Sequence, residues 1–225
     1  MYTSFSLLTL ISAVIEVALL MFSAIVHEVA HAWTADKLGD PTAREAGRLT
    51  LNPLKHIDPF GSIILPLIMV VLRGPVFAYA KPVPYSPYRL RNPGRDDALV
   101  AAAGPISNMI QALVGALIFR IIDANVVFTG YTGWFWVLYV LSAYVEVNLS
   151  LAFFNILPLP PLDGSKLILP LLHGEARDRY YQIQAYALPI LFILLYLLPI
   201  IFHVDPLGIY LNFTVDNLSN LLLGA

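Results

Sequence analysis

The chain has 225 residues, no cysteine and a net charge of −2. It is 58% hydrophobic and only 12% charged, against about 25% charge in a soluble domain, which excludes an ordinary soluble fold and predicts an integral membrane protein. The absent cysteines exclude disulfides and thiolate metal sites, and the slightly acidic balance offers no bulk attraction to nucleic acid.

Residues 5–35 form the first expected span, and His27-Glu28-Val29-Ala30-His31 sits near its end. Histidines four apart on a helix project from one face. Both imidazoles can then bind one metal ion, with Glu28 beside them to handle protons. The plainer alternative is two core histidines and a snorkelling glutamate. Charged groups inside a bilayer cost about 2.5–3.5 kcal/mol each on insertion scales, which favours a purpose. The run has neither a basic leading region nor a small-x-small cleavage site, so it does not read as a cleavable signal peptide. Glu16, eleven residues before His27, falls near the same helix face. It either lines the same cavity, sits near the outer interface or pairs with another helix.

Residues 36–60 are polar and turn-rich, with Pro41, Pro53 and Pro59 arguing against a long helix. His56 and Asp58 are candidates for a metal or substrate contact, beside the commoner structural role of a loop histidine. The stretch 61–72 is apolar but only twelve residues long, with Pro66 inside it. A span needs about 20 residues, so this reads as a re-entrant segment. Val76-Phe77-Ala78-Tyr79-Ala80 is a short β-prone run. Pro82, Pro84, Pro87 and Pro93 then mark an interfacial loop.

Residues 98–122 form the second span, where Gly104, Asn108, Gln111 and Gly115 share a stripe at helical spacing. Small residues and amides on a membrane helix serve close packing; that is the reading for the glycines, while Asn108 fits packing and function equally. Residues 134–157 form the third span, with Asn148 and Asn155 on one face and Glu146 in or near the membrane. Pro158, Pro160 and Pro161 then force an unwound chain down to Asp163-Gly164. Such backbone is tolerated at membrane depth where it is buried in protein or lines a wet cavity. Asp163 is therefore either a third metal ligand or an exposed aspartate in a plain turn. Residues 183–202 form the fourth span. The tail from 203 carries no lysine or arginine, and its 215–223 part either lies along a surface or packs on the bundle.

Twelve of the 13 basic residues fall in the stretches 37–95 and 166–179, and only Arg120 lies elsewhere. If those stretches share a side, the positive-inside rule makes that side cytoplasmic. His31 and Asp163 can reach one ion only if an even number of crossings separates them. The spans 98–122 and 134–157 supply two, so 61–72 must enter and return. The expected fold is an all-α polytopic membrane protein, a helical bundle forming one domain over 1–225. It has four complete spans, a re-entrant segment at 61–72, a short membrane-associated β element, an outside N-terminus and a metal near the cytoplasmic face.

His27-Glu28-x-x-His31 in a membrane helix, Ala103-Gly104-Pro105 with Asn108, and Asn155-x-x-Pro158 running to Leu162-Asp163-Gly164 resemble, in that order, the site-2 protease family of intramembrane zinc metalloproteases. The resemblance covers roughly 15–166 and is to the compact form without PDZ or CBS domains. Gly47-Arg48-Leu49-Thr50-Leu51-Asn52-Pro53 looks like part of an insertion relative to the shortest members. The resemblance implies one zinc ion per chain, held by His27, His31 and Asp163. It implies Glu28 as the catalytic acid/base and Asn155 near the substrate carbonyl. It further implies a transmembrane protein substrate, cut in or near its membrane segment, often after another protease has removed the outer part. The membrane is read as a prokaryotic plasma membrane, with an organellar membrane as the alternative. The run 76–80 offers a strand edge for an unwound substrate. Two other readings remain open. One is a membrane HExxH peptidase with a distant glutamate ligand. The other is a non-proteolytic zinc-binding scaffold or transporter, with Glu16, Glu146, Asn148 and Asn155 along a path.

Overall fold

The structure is a computed structural model that describes residues 7–58, 64, 81–126, 133–184 and 186–224. Helix α1 runs Leu7–Lys37 and is followed by the single turn α2, Thr42–Glu45. Helix α3 runs Pro93–Asn125 and α4 runs Gly133–Asn155. Two shorter pieces follow, α5 at Gly164–Leu167 and α6 at Glu175–Gln184. The three long helices, α1, α3 and α4, are the ones long and apolar enough to cross a membrane. No strand occurs among the described residues. The expected re-entrant segment (Ile64 apart) and the β-prone run 76–80 lie outside the described residues.

Each long helix starts or stops where its sequence dictates. Pro93 stands in the first turn of α3, where a missing N–H costs nothing. The Asp96 carboxylate reaches back to accept the Asn92 N–H at 2.9 Å. Helix α4 ends at Asn155 because Pro158 biases the preceding residue away from helix. Helix α1 ends through Gly39, whose φ of +112° suits glycine, with the Asp40 N–H returning to the Ala35 carbonyl. At 1.5 Å per residue, His27 comes about 30 Å along α1, the thickness of a bilayer's hydrocarbon.

The expected fourth span is divided. Helix α6 stops at Gln184, and α7 (Ala187–Phe192) and α8 (Leu198–Phe202) are joined by a π-helical turn at Ile193–Leu197. Proline 199 explains the turn. It has no N–H for the Leu195 carbonyl, and its ring crowds the preceding turn. The helical run 187–202 is about 24 Å long, short of the roughly 30 Å hydrocarbon.

The tail packs on the bundle. Helices α9 (Pro206–Leu211) and α10 (Asn217–Leu223) flank a second π-helical turn, Asn212–Asp216. Val215 is buried against Ala112 and Ala116 of α3 and Val145 and Leu149 of α4. Arg120, the basic residue that stood apart in the sequence, donates to the carbonyls of Leu221 (2.9 Å) and Leu222 (2.8 Å). It thus satisfies the open carbonyls at the end of α10.

At the other end of the bundle the polar loops form one layer. The Lys81 N–H donates to the His56 carbonyl at 2.8 Å and the Arg91 N–H to the Leu38 carbonyl at 3.1 Å. His56 and Lys81 therefore lie at the same end of the bundle. Asp40 is buried, accepts the Ser86 N–H and caps the Thr42 N–H. Burial would raise its carboxyl, but the bonds from Thr42 and Ser86 prevail and hold it below the ordinary aspartate range.

Candidate metal centre

His27 and His31 are both buried on the face of α1 that meets α3. Their Nδ1 atoms are already committed. His27 Nδ1 donates to Asn108 Oδ1 at 2.5 Å, and His31 Nδ1 donates to the Val100 carbonyl at 2.6 Å. Each Nε2 is left facing the same point, and the two lie 3.0 Å apart. Asp163 Oδ2 arrives from the proline-broken segment after α4, at 3.0 Å from His27 Nε2 and 3.2 Å from His31 Nε2. Among the described residues this is the group whose ligand atoms converge as a metal needs. A tetrahedral zinc with its usual bonds of 2.0–2.1 Å sets ligand atoms about 3.3 Å apart, so the three donors fit that ion. Burial alone would raise the Asp163 carboxyl, but the two imidazoles outweigh it and hold the group well below the usual carboxylate range. Asp163 is thus ionised, as a ligand must be.

Two glycines make room for this cluster. A Cβ on Gly104 would lie 2.5 Å from His27 Nε2, His27 Cε1 and His31 Nε2. A Cβ on Gly164 would lie 2.0 Å from the Ile156 carbonyl oxygen and 2.5 Å from that of Leu157, so the turn that presents Asp163 closes only on glycine. The sequence favoured simple helix packing for Gly104; the structure gives it the floor of the centre instead.

Asn108 is fully buried and belongs to a chain of amides. Its Nδ2 donates to Asn148 Oδ1 at 2.9 Å, and Asn148 Nδ2 donates to Ser23 Oγ and to the Tyr144 carbonyl, each at 2.9 Å. Asn148 thereby fixes which way the Asn108 amide points, and Asn108 fixes the His27 tautomer. Asn108→Ala is expected to weaken zinc binding by about 10- to 100-fold, the usual cost of losing such a partner. Competition against a graded chelator measures it, and an unchanged affinity would remove Asn108 from this role.

Glu28 is half-buried, and its Oε2 accepts the Val83 N–H at 2.8 Å. Asn155 closes α4 with Nδ2 donating to the Leu151 carbonyl at 3.0 Å. The other flagged residues lie elsewhere. Glu16 accepts from Tyr139 Oη at 3.3 Å and shares a cavity of about 520 Å³ with Glu146. That cavity's walls include none of His27, His31 and Asp163. His56 is fully buried, with Nε2 donating to the Thr50 carbonyl at 2.7 Å. The sequence also gave no notice of Tyr85. Its hydroxyl donates to Asp97 at 2.6 Å and accepts from Lys166 at 2.5 Å. Burial, then the Asp97 carboxylate, push that phenol far above its ordinary value.

Two histidines and an aspartate converging in a bundle of membrane-length helices form a candidate metal centre in an integral membrane protein, and comparison with known proteins makes it a zinc metalloprotease. The sequence model of peptidase family M50 matches residues 15–198, and the chain belongs to that family, the site-2 proteases. It is 37% identical over 204 residues to "Putative zinc metalloprotease YwhC" of Bacillus subtilis (strain 168), across 88% of this chain and 84% of that protein. It is 30% identical over 159 residues to "Putative zinc metalloprotease Rip2" of Mycolicibacterium smegmatis, across 70% of this chain. The Rip2 protein of Mycobacterium tuberculosis (strain H37Rv) is 27% identical over 174 residues, across 77% of this chain. The matched segments span 57% and 63% of those two Rip2 proteins. No solved structure matches the chain.

Proposed function

We propose that this metalloprotease hydrolyses peptide bonds in or beside transmembrane segments of other membrane proteins. His27, His31 and Asp163 hold the zinc, and Glu28 is the acid/base. The observation that carries this reading is that two Nε2 atoms and one carboxylate oxygen meet within 3.0–3.2 Å while both Nδ1 atoms are otherwise engaged. Zinc held there supplies Lewis acidity and lowers the pKa of water to about 7. Glu28 takes the proton of the attacking water and returns it to the leaving amine nitrogen. With Oε2 accepting the Val83 N–H, Oε1 is the oxygen that does this work. Asn155 Nδ2 uses one hydrogen on the Leu151 carbonyl. Its second hydrogen is the donor for the substrate carbonyl as negative charge develops there.

The substrate arrives after another protease has removed its outer part, and the reaction is a step of regulated intramembrane proteolysis. The membrane is a prokaryotic plasma membrane, with the centre near the cytoplasmic side. The meeting of His56 and Lys81 at one end of the bundle supports that topology. Reporters fused at Arg48 and at Arg91 are expected on the same side, and opposite sides would refute it. The experiment for function is comparative membrane proteomics of wild-type and Glu28→Ala cells. Truncated single-span proteins should accumulate in the variant; identical membrane proteomes would overturn the reading.

A further inference from the structure

The loop Gly47–Pro53 has no part in the function as derived so far, yet it contains Arg48, a buried cation. Arg48 is 9% exposed. None of the ion pairs among the described residues includes it. A guanidinium taken out of water with no carboxylate beside it is expensive to retain, so what it does hold is informative. Its Nη2 donates to the Lys81 carbonyl at 2.8 Å and points at that of Pro82 at 3.4 Å. Its Nε has no partner among the described residues.

Those two carbonyls immediately precede the residue that touches Glu28. Lys81 is held from both sides, its N–H on the His56 carbonyl and its own carbonyl on Arg48. Two residues on, the Val83 N–H meets Glu28 Oε2 at 2.8 Å. The Val83 side chain packs against Ala32 of α1, one turn beyond Glu28, and against Ala43 of α2. The Pro82 carbonyl and the Val83 N–H belong to one planar peptide unit and point in opposite directions. Holding the Lys81 and Pro82 carbonyls on Arg48 therefore restrains the aim of the Val83 N–H. Pro82 and Pro84 have no N–H, so Val83 supplies the one backbone donor between Lys81 and Tyr85.

We propose that Arg48 is a positioning residue for the acid/base: through the Lys81 and Pro82 carbonyls it holds the Val83 N–H on Glu28 Oε2. The carboxylate is thereby oriented with Oε1 toward the attacking water. Loops 47–56 and 81–83 together form a buckle over the HExxH turn. This rests on Glu28 being the acid/base, and it adds a residue that neither binds metal nor meets substrate. Among the described residues the Val83 N–H is the donor that meets Glu28, and Pro82 and Pro84 beside it offer none.

The test uses zinc-loaded full-length protein in detergent, with a purified single-span membrane protein as substrate and hydrogen exchange of the 81–85 peptide. The Val83 amide should be slow in wild type and fast in Glu28→Ala, which removes its acceptor. Arg48→Ala should also make it fast, retain one zinc per chain, and lower kcat by about 10- to 100-fold with KM within about twofold. Arg48→Lys keeps a donor for the Lys81 carbonyl and should restore both readouts in part; it stands alone if Arg48→Ala does not fold. Wild-type exchange at Val83 in folded Arg48 variants overturns the proposal. So does a loss of turnover that follows zinc loss while Val83 stays slow. Glu28→Ala protein that still cleaves would overturn the acid/base assignment instead, a separate result from the exchange arm.

Discussion

Gly104→Ala is expected to empty the metal centre. The new methyl carbon falls 2.5 Å from His27 Nε2 and His31 Nε2, where carbon contacts want about 3.5–4.0 Å. The clash must therefore move something by about 1 Å. Neither imidazole can yield freely, because Asn108 holds one at Nδ1 and the Val100 carbonyl holds the other. Val100 and Asn108 are on α3 with Gly104, so tilting that helix moves the anchors along with the methyl group. Metal ligands tolerate displacements of about 0.2 Å. Zinc per chain, measured after dialysis against a mild chelator, should fall from one to near zero, and turnover with it. Gly115→Ala is the control. There the Cβ meets Tyr144 and Val145 at 2.9 and 3.2 Å, so it should lower thermal stability and leave zinc in place. Stoichiometric zinc in Gly104→Ala would refute the crowded geometry.

The difference between those two glycines is invisible in sequence. Both sit on one helical stripe, and the local rule for small residues on a membrane helix is close packing. Only the partner across the interface separates them, and that partner is 77 residues away for Gly104 and 29 for Gly115. The histidine pair, by contrast, was legible because its geometry is local: a four-residue offset on one helix needs no tertiary information. Asp163 was legible for a second local reason, the prolines that forbid a helix just ahead of it. Asn108 stood between packing and function because an amide on a membrane helix serves either, and its bond to His27 spans 81 positions. Arg48 left no signal at all. A lone arginine in a polar, turn-rich loop reads as solvated, and its burial follows from where Lys81 and Pro82 lie. The divided stretch 183–202 is the opposite case. Its hydrophobicity suggested a span, and Pro199, plain in the sequence, was the mark against an unbroken helix.

Glu28 should separate chemistry from metal binding more cleanly than any other position. Glu28→Ala and Glu28→Gln are both expected to keep one zinc per chain, because the converging donors belong to His27, His31 and Asp163. Both should lose turnover by about 10²–10⁴-fold, the contribution of a placed acid/base. Neither a methyl group nor a neutral amide accepts the water proton. The two variants differ in what they do to the loop. Glutamine retains a carbonyl oxygen for the Val83 N–H, whereas alanine strands that donor beside a 7%-exposed valine. A buried unpaired N–H costs about 1–3 kcal/mol, so Glu28→Ala should be the less stable of two equally inactive proteins. Asp163→Ala gives the converse pattern, with zinc and turnover lost together. Elemental analysis, thermal melting and cleavage assays on the three proteins distinguish these outcomes. A Glu28→Gln protein that keeps its zinc and still cleaves would require a different proton carrier. Lys166, three residues after Asp163, and Tyr85, whose hydroxyl it meets, are the next to be tried.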